Sequence, residues 1–373
     1  MNSKVSIVKC KNYDSSLVFE AIKKSIDLLG GISVFIKPKS KVLVKPNLLM
    51  AKPPESAITT HPEVVRAVVK ILKSIDCKIY LGDGPSVWYR QVENVDEVYE
   101  QTGMKMLSKE EDIELVKFDK RRWRGKFPLS AWLDSCDCLV SIPKFKTHDL
   151  MILTGAIKNL FGLVSDVYKT ELHKRYYAGN DFAGILVDIY EEARPALTIV
   201  DGIVAMEADG PGTSGKLRNP GLIFAGSDCV ALDSILALIM GLSPLDILTN
   251  KEAAKRGLGI ADINSIDIFG EKLEDFIEEP FQLPTTSITK KIPRPVIEIA
   301  KKFIRFYPKV AYNNCNLCKA CIDICPNKAI STINNERIIF DYSRCISCFC
   351  CQEVCPNSAI KVKKSIFAKM IGL

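Results

Sequence analysis

Between residues 41 and 270, apolar runs of four or five residues recur, each followed by a polar or Gly-containing turn and then by helically spaced apolar positions. Runs this short predict buried strands at Lys41–Val44, Lys78–Leu81, Cys138–Ile142, Leu197–Val200 and Leu222–Ala225, with Ile266–Phe269 closing the set. The helical spacing places helices at Pro62–Ile75, Ile152–Val164, Phe182–Ala193 and Cys229–Met240, the last capped by Ser227 or Asp228. Strands alternating with helices predict an α/β fold: a mostly parallel sheet flanked by helices, over residues 1–283.

Beyond residue 283 the pattern changes. Residues 284–311 carry four prolines up to position 310 and the run VIEIAKKFIRFYPKV, which reads as a linker holding one basic amphipathic helix. Residues 312–362 form a cysteine-rich segment, expected to be a small ferredoxin-like α+β domain, and 363–373 a basic, apolar tail. The chain carries a net charge of +7, but from residue 284 onward 15 Lys and Arg face only 5 Asp and Glu. Such a concentration suits a nucleic acid or membrane surface, yet it equally offsets the negative charge of thiolate-bound iron-sulfur clusters. We expect no nucleic-acid partner, and packing between domains rather than membrane contact for the basic helix. The most apolar helix candidate, Val230–Leu242, is too short for a bilayer span and contains Asp233. The N-terminal stretch lacks an export or import pattern, so a cytoplasmic location is expected.

Nine of the fourteen cysteines fall between Cys315 and Cys355. CNLCKACIDICP and CISCFCCQEVCP both read CxxCxxCxxxCP, the spacing that builds two four-iron clusters with the fourth cysteine of each run crossing to the other. One [4Fe-4S] cluster then takes Cys315, Cys318, Cys321 and Cys355. The second takes Cys345, Cys348, Cys351 and Cys325. Zinc is the competing reading, but its sites use paired CxxC knuckles and need no second complete run ending in Pro. Residues 312–362 resemble the bacterial two-cluster ferredoxins. Cys350 is left over as a spare thiol, and the five scattered cysteines read as small core residues.

In a parallel sheet, ligands bind beyond the carboxyl ends of the strands. The segments there are polar: Lys45-Pro46-Asn47, Gly82-Asp83-Gly84, Pro143-Lys144-Phe145-Lys146-Thr147-His148, Asp201-Gly202 and Gly226-Ser227-Asp228. Pro143 keeps its segment extended, so Lys144 and Lys146 are expected to share a face. Lys158 and Asn159 follow on TGAIKNLFG. Lysines serve as point charges for carboxylates or phosphates, which implies an anionic ligand; the competing reading pairs them with Asp83, Asp201, Asp228 and Asp233. Asp233 sits in an apolar helix and needs a partner that one of the lysines would supply. His148 is a candidate proton donor or metal ligand. GPGTSGKL satisfies GxxxxGK but has Leu217 where a nucleotide-binding loop needs Ser or Thr, and no GxGxxG joins a strand to a helix.

The segments VLVKPNLL, GDGPS, IPKFKTHDLMILTGAIKNLFGL, VDGIVAMEADGPGTSG and GSDCVALDSI together resemble the family called domain of unknown function 362, over most of residues 5–270. The resemblance points to Lys45, Asn47, Asp83, Lys144, Lys146, His148, Lys158, Asn159, Asp201, Asp228 and Asp233, and implies a redox association. The combined expectation is an iron-sulfur oxidoreductase exchanging single electrons with a small anionic substrate or a further cofactor. In it, Lys144, Lys146, His148, Asp83 and Asp201 act on the ligand, and Lys45, Asn47, Lys158, Asn159, Asp228 and Asp233 hold it. The alternative is a non-catalytic carrier whose N-terminal domain docks a redox partner protein.

Overall fold

Strands that alternate their side chains between two apolar layers build the centre of the molecule. In the computed structural model, which describes residues 2–85, 87–88, 91–92, 94–165, 168–176, 179–287 and 306–365, an 11-stranded sheet is present. In chain order its strands are β1 (Ser3–Lys9), β2 (Lys41–Pro46), β3 (Lys78–Leu81), β4 (Glu114–Leu115), β5 (Cys138–Ile142), β6 (Lys144–His148), β7 (Ile152–Thr154), β8 (Leu197–Ala208), β9 (Gly215–Arg218), β10 (Leu222–Gly226) and β11 (Ile266–Gly270). The main order is β11-β1-β10-β8-β5-β2-β3-β4, and β6, β7 and β9 extend from β8. Val42 and Val44 enter one apolar layer and Leu43 the other, as do Ile223 and Ala225 against Leu222 and Phe224. This period of two lets helices Ser15–Asp27 and Pro62–Lys73 cover one face and Gly179–Ala193 and Cys229–Ile239 the other.

Three departures from the expected pattern matter for the site. Strand β10 runs antiparallel to both β1 and β8, so its Gly226 end lies beside Thr198, at the start of β8. Strand β8 does not stop at Val200 but continues to Ala208, with Asp201 paired to Ile223 inside the ladder. The helix expected over Ile152–Val164 is broken into β7, a short helix Ala156–Asn159 and a 3₁₀ turn Leu160–Leu163. Hydrogen bonds from the Ala156 and Ile157 amides to Asp233 start that short helix at Gly155.

At the C-terminal end, strand Phe306–Val310 pairs with Ile360–Lys364, and Ile330–Ile333 pairs with Arg337–Phe340. Residues 306–310, read from sequence as linker, thus join the small sheet, while the expected basic helix lies outside the described residues. Cys321, Cys350, Cys351 and Cys355 sit among Val310, Ile324, Ile338 and Ile360 in a separate small core. The two parts meet through the glycine loop after β8. Thr213 Oγ1 donates to Cys355 O at 2.6 Å, Ser358 Oγ donates to Thr213 O at 2.5 Å, and Lys52 Nζ reaches Pro356 O at 3.3 Å. At Gly212 a Cβ would lie 2.4 Å from Glu353 O, so only glycine permits this approach.

Candidate functional site

The cysteine segment folds so that the crossed sets converge. Cys325 joins Cys345, Cys348 and Cys351 around one small cavity, lined also by Pro308, Ile330, Phe340 and Phe349. Burial, followed by the neighbouring thiolates of Cys318, Cys355 and Cys315, pushes the Cys321 thiol up to about 12. Four thiols brought together in an apolar setting repel one another as thiolates unless a cationic centre binds them, so the donor sets fit iron-sulfur clusters. Among the described residues no His, Cys, Asp or Glu group closes tightly enough to hold a single metal ion. His148 therefore has no ligand set around it.

At the carboxyl ends of β2 and β3, Lys45 Nζ lies 2.7 Å from Asp83 Oδ1, both almost fully buried. The same lysine approaches Asn159 Oδ1 at 3.3 Å, and Asn159 Nδ2 donates to Ser141 Oγ at 2.9 Å. Asp83 also accepts from the Leu48 and Gly84 amides. Gly162 covers this pair, since a Cβ there would lie 2.3 Å from Asp83 Oδ1.

Above the pair opens a cavity that both parts of the chain line. The sheet ends supply Asn47, Asp83, Lys146, Thr154, Lys158 and Asn159; the cysteine segment supplies Ile324, Pro326, Cys350, Glu353 and Val354. Lys146 Nζ donates to Ile58 O at 2.6 Å, and burial and then the charge of Lys158 push it down to about 7. Burial also lowers Lys158, against the opposing pull of Glu353 and Cys350. Among the described residues neither lysine has a carboxylate in ion-pair contact. Asn47 Oδ1 and Thr154 Oγ1 are buried without a hydrogen-bond partner among those residues. Two cations and the unsatisfied Thr154 hydroxyl facing one space suit a small, oxygen-rich anion, while Asn47 Oδ1, an acceptor, suits a hydroxyl on the same ligand.

His148 lies at the rim, between the two parts. Its Nδ1 accepts from the Leu150 and Met151 amides, so the ring proton sits on Nε2, 3.9 Å from Glu353 Oε2. Burial, and then Lys158, hold this imidazole well below the usual range and hence neutral.

The structure does not bring Lys144, Asp201, Asp228 or Asp233 into this space. The register shifts between Lys144 and Lys146, so the two do not share a face as their spacing suggests. Lys144 instead pairs with Asp201 at 2.8 Å, both fully buried, under Tyr13, whose ring stacks on His61 at 3.7 Å. Asp228 caps the helix that follows β10, accepting from Val230 and Ala231, at the far edge that the antiparallel strand dictates. Asp233 finds its partners in the Ala156 and Ile157 amides, at 2.6 and 3.1 Å, rather than in a lysine.

Burial pushes Asp233 up to about 7 from an ordinary 3.8, with those amides pulling the other way. The folded chain therefore keeps this proton to higher pH than the unfolded chain does. The stability it contributes is complete below about pH 4 and lost as pH rises through about 7. Urea midpoints for the parent and Asp233→Asn should diverge between pH 5 and 7.5, the parent losing more; parallel midpoints would contradict the burial of an ionisable group there.

Two matches to known families bear on this arrangement. Residues 42–237 match a domain of unknown function (DUF362), and residues 314–359 match a 4Fe-4S dicluster domain. The chain belongs to the DUF362 family. It is 33% identical over 269 residues to a thylakoid-associated protein of Synechocystis sp., an alignment covering 70% of this chain and 81% of that protein. Among solved structures, the lactate racemase apoprotein from Thermoanaerobacterium thermosaccharolyticum is 16% identical with a TM-score of 0.36, covering 61% of this chain and 54% of that one.

This DUF362 protein adds residues to the site that motif spacing did not single out. Lys169 and His173 reach the cavity from helix Tyr168–Arg175, and Glu353 and Cys350 from between the cluster cysteines. Lys169 donates to Pro85 O at 3.1 Å, and His173 packs 4.3 Å from the Phe182 ring. Burial, and then Lys158, push His173 down to about 3, so it too is neutral. Among the described residues no helix is long and apolar enough to cross a membrane.

Proposed function

We propose that this protein is an iron-sulfur oxidoreductase in which two [4Fe-4S] clusters exchange single electrons with a small anionic substrate or cofactor held between Lys146 and Lys158. The observation that carries this reading is the shared cavity: the same space is bounded by strand-end lysines and by Cys350, Glu353 and Val354, which flank the cluster cysteine Cys351 or precede Cys355. When bound, the clusters supply one-electron transfer. The residues of this chain do the rest. Lys146 and Lys158 neutralise the ligand's negative charge, the Thr154 hydroxyl donates to it, Asn47 Oδ1 accepts from a ligand hydroxyl, and Leu48, Leu49, Phe161 and Pro211 exclude water. The Lys45–Asp83 pair fixes the floor, and Asn159 holds Lys45 in place.

A screen of anionic metabolites for reoxidation of the chemically reduced holoprotein tests the reading. Turnover with a small anion supports it; oxidation by another protein alone would support the carrier instead. Lys146→Met and Lys158→Met should leave iron content unchanged and weaken anion binding about ten- to a hundredfold each. Affinity should fall as pH rises past about 7, where Lys146 loses its proton. A bound anion favours the charged lysine and moves that loss upward. Unchanged affinity in both variants would place the ligand elsewhere.

A further inference from the structure

Among the described residues, Glu353 alone brings a carboxylate from the cluster segment into the lysine-lined cavity. Its backbone is pinned. Gly212 packs against Glu353 O, Thr213 and Ser358 clasp the chain two to five residues later, and the Glu353 side chain is only 17% exposed. The docked cluster segment therefore holds this residue against the cavity. The carboxylate also stands off from the groups it faces, with Oε2 3.9 Å from His148 Nε2 and no ion pair to Lys146 or Lys158 among the described residues. Lys146 and Lys158 nonetheless both feel its charge, and for Lys158 it is the largest influence favouring protonation. A gap with lysines on one side and this carboxylate on the other admits a ligand but opposes each added negative charge.

On the reading of this cavity as an anion site, we propose that Glu353 sets the charge the site accepts, selecting a singly charged ligand head, such as one carboxylate, over a doubly charged one. Glu353 offsets one of the positive charges that Lys146, Lys158 and Lys169 bring to the lining, and it opposes the second negative charge of a dianion as much as the first. A dianion would leave excess negative charge beside thiolate-bound clusters that are themselves anionic. The unpartnered donors and acceptors at the edges, His148 Nε2, Thr154 Oγ1 and Asn47 Oδ1, then serve neutral oxygens of the same ligand.

The test uses the cluster-loaded full chain, with formate and sulfate as singly and doubly charged probes titrated calorimetrically. The parent should prefer formate once differences in intrinsic affinity are cancelled by comparing variants. Glu353→Gln should tighten sulfate about tenfold and formate less, because one opposing charge is removed from a partly screened site. Glu353→Asp should keep the parental ratio. A gain of affinity is a readout that structural damage does not produce. If Glu353→Gln leaves the sulfate-to-formate ratio unchanged or lowers it while Lys146→Met still weakens both probes, the charge-selection proposal is overturned and the cavity reading stands. If neither probe binds any variant, the anion site itself is refuted, and the charge selection with it.

Discussion

Changing Asp83 to Ala should destabilise the α/β part by about 3–5 kcal/mol, the scale expected when one partner of a buried ion pair is removed. Asp83 is 2% exposed and accepts from Lys45 Nζ, from the Leu48 amide at 2.7 Å and from the Gly84 amide at 2.8 Å. Without it, the buried Lys45 charge keeps, among the described residues, only Pro46 O at 3.1 Å and Asn159 Oδ1 at 3.3 Å. Collapse of the neighbourhood offers little relief, because Gly162 already approaches so closely that a Cβ there would lie 2.6 Å from Lys45 Nζ. Urea unfolding followed by tryptophan fluorescence reads this out, since all three tryptophans precede the cysteine segment. The double change Lys45→Met with Asp83→Leu should recover part of the loss, as both charges then disappear together. An Asp83→Ala midpoint equal to that of the parent would mean that the pair is not buried in solution.

The exposed Lys23–Asp27 pair makes the contrast. Its groups lie 2.7 Å apart, yet each is more than half exposed, so solvent already satisfies them and Asp27→Ala should be nearly silent. Distance alone thus does not rank ion pairs in this chain; burial decides.

The parts of the site legible in the sequence were those fixed by local chain geometry. Lys45, Asn47 and Asp83 follow parallel strands whose apolar runs are recognisable by length, so their position at the carboxyl edge followed from the strands themselves. Asp228 misled because LIFAG reads the same whether its strand is parallel or antiparallel; direction is set by its pairing with β1 and β8, more than two hundred and about twenty residues away. Asp201 misled for a related reason: the glycine after it looked like a turn, but Gly202 lies within the ladder, opposite Leu222. Lys144 and Lys146 were separated by a register shift that no composition marks. Lys169 and His173 lie on helix Tyr168–Arg175, whose Tyr168 and Leu172 pack on the core, and nothing in its mostly polar sequence marks which residues reach the cavity. Glu353 required the docking of two separately patterned segments through Thr213. Strand β1 was missed although SKVSIVK places four consecutive buried residues, Val5–Val8, in the sheet.

The cysteine segment was legible for the opposite reason, since its spacing is its geometry, and the crossing it implies has a sharp consequence. Cys325→Ala should remove the cluster otherwise held by Cys345, Cys348 and Cys351, whose side chains line the same cavity as Cys325. Iron and acid-labile sulfide should fall from about eight to about four of each. The electron paramagnetic resonance signal that survives reduction should match the one left by Cys345→Ala. Cys315→Ala and Cys355→Ala should likewise match each other and retain the complementary signal, because Cys321 feels Cys318, Cys355 and Cys315 as its nearest thiolates. Cys350→Ala is the control. That thiol is buried beside Cys351 and faces the lysine-lined cavity, so its loss should leave iron near eight. If Cys325→Ala instead left the signal seen in Cys315→Ala, each cysteine run would hold its own cluster and the two halves would be joined only by their sheets. The outcome also bears on the cavity: Cys351 and Cys355 flank Gln352, Glu353 and Val354, so with crossed ligands this one short turn is anchored to both clusters at once. A ligand lying between Glu353 and the lysines would then contact a residue two positions from a cysteine of each cluster, and the docking of Thr213 on Cys355 holds that geometry in place.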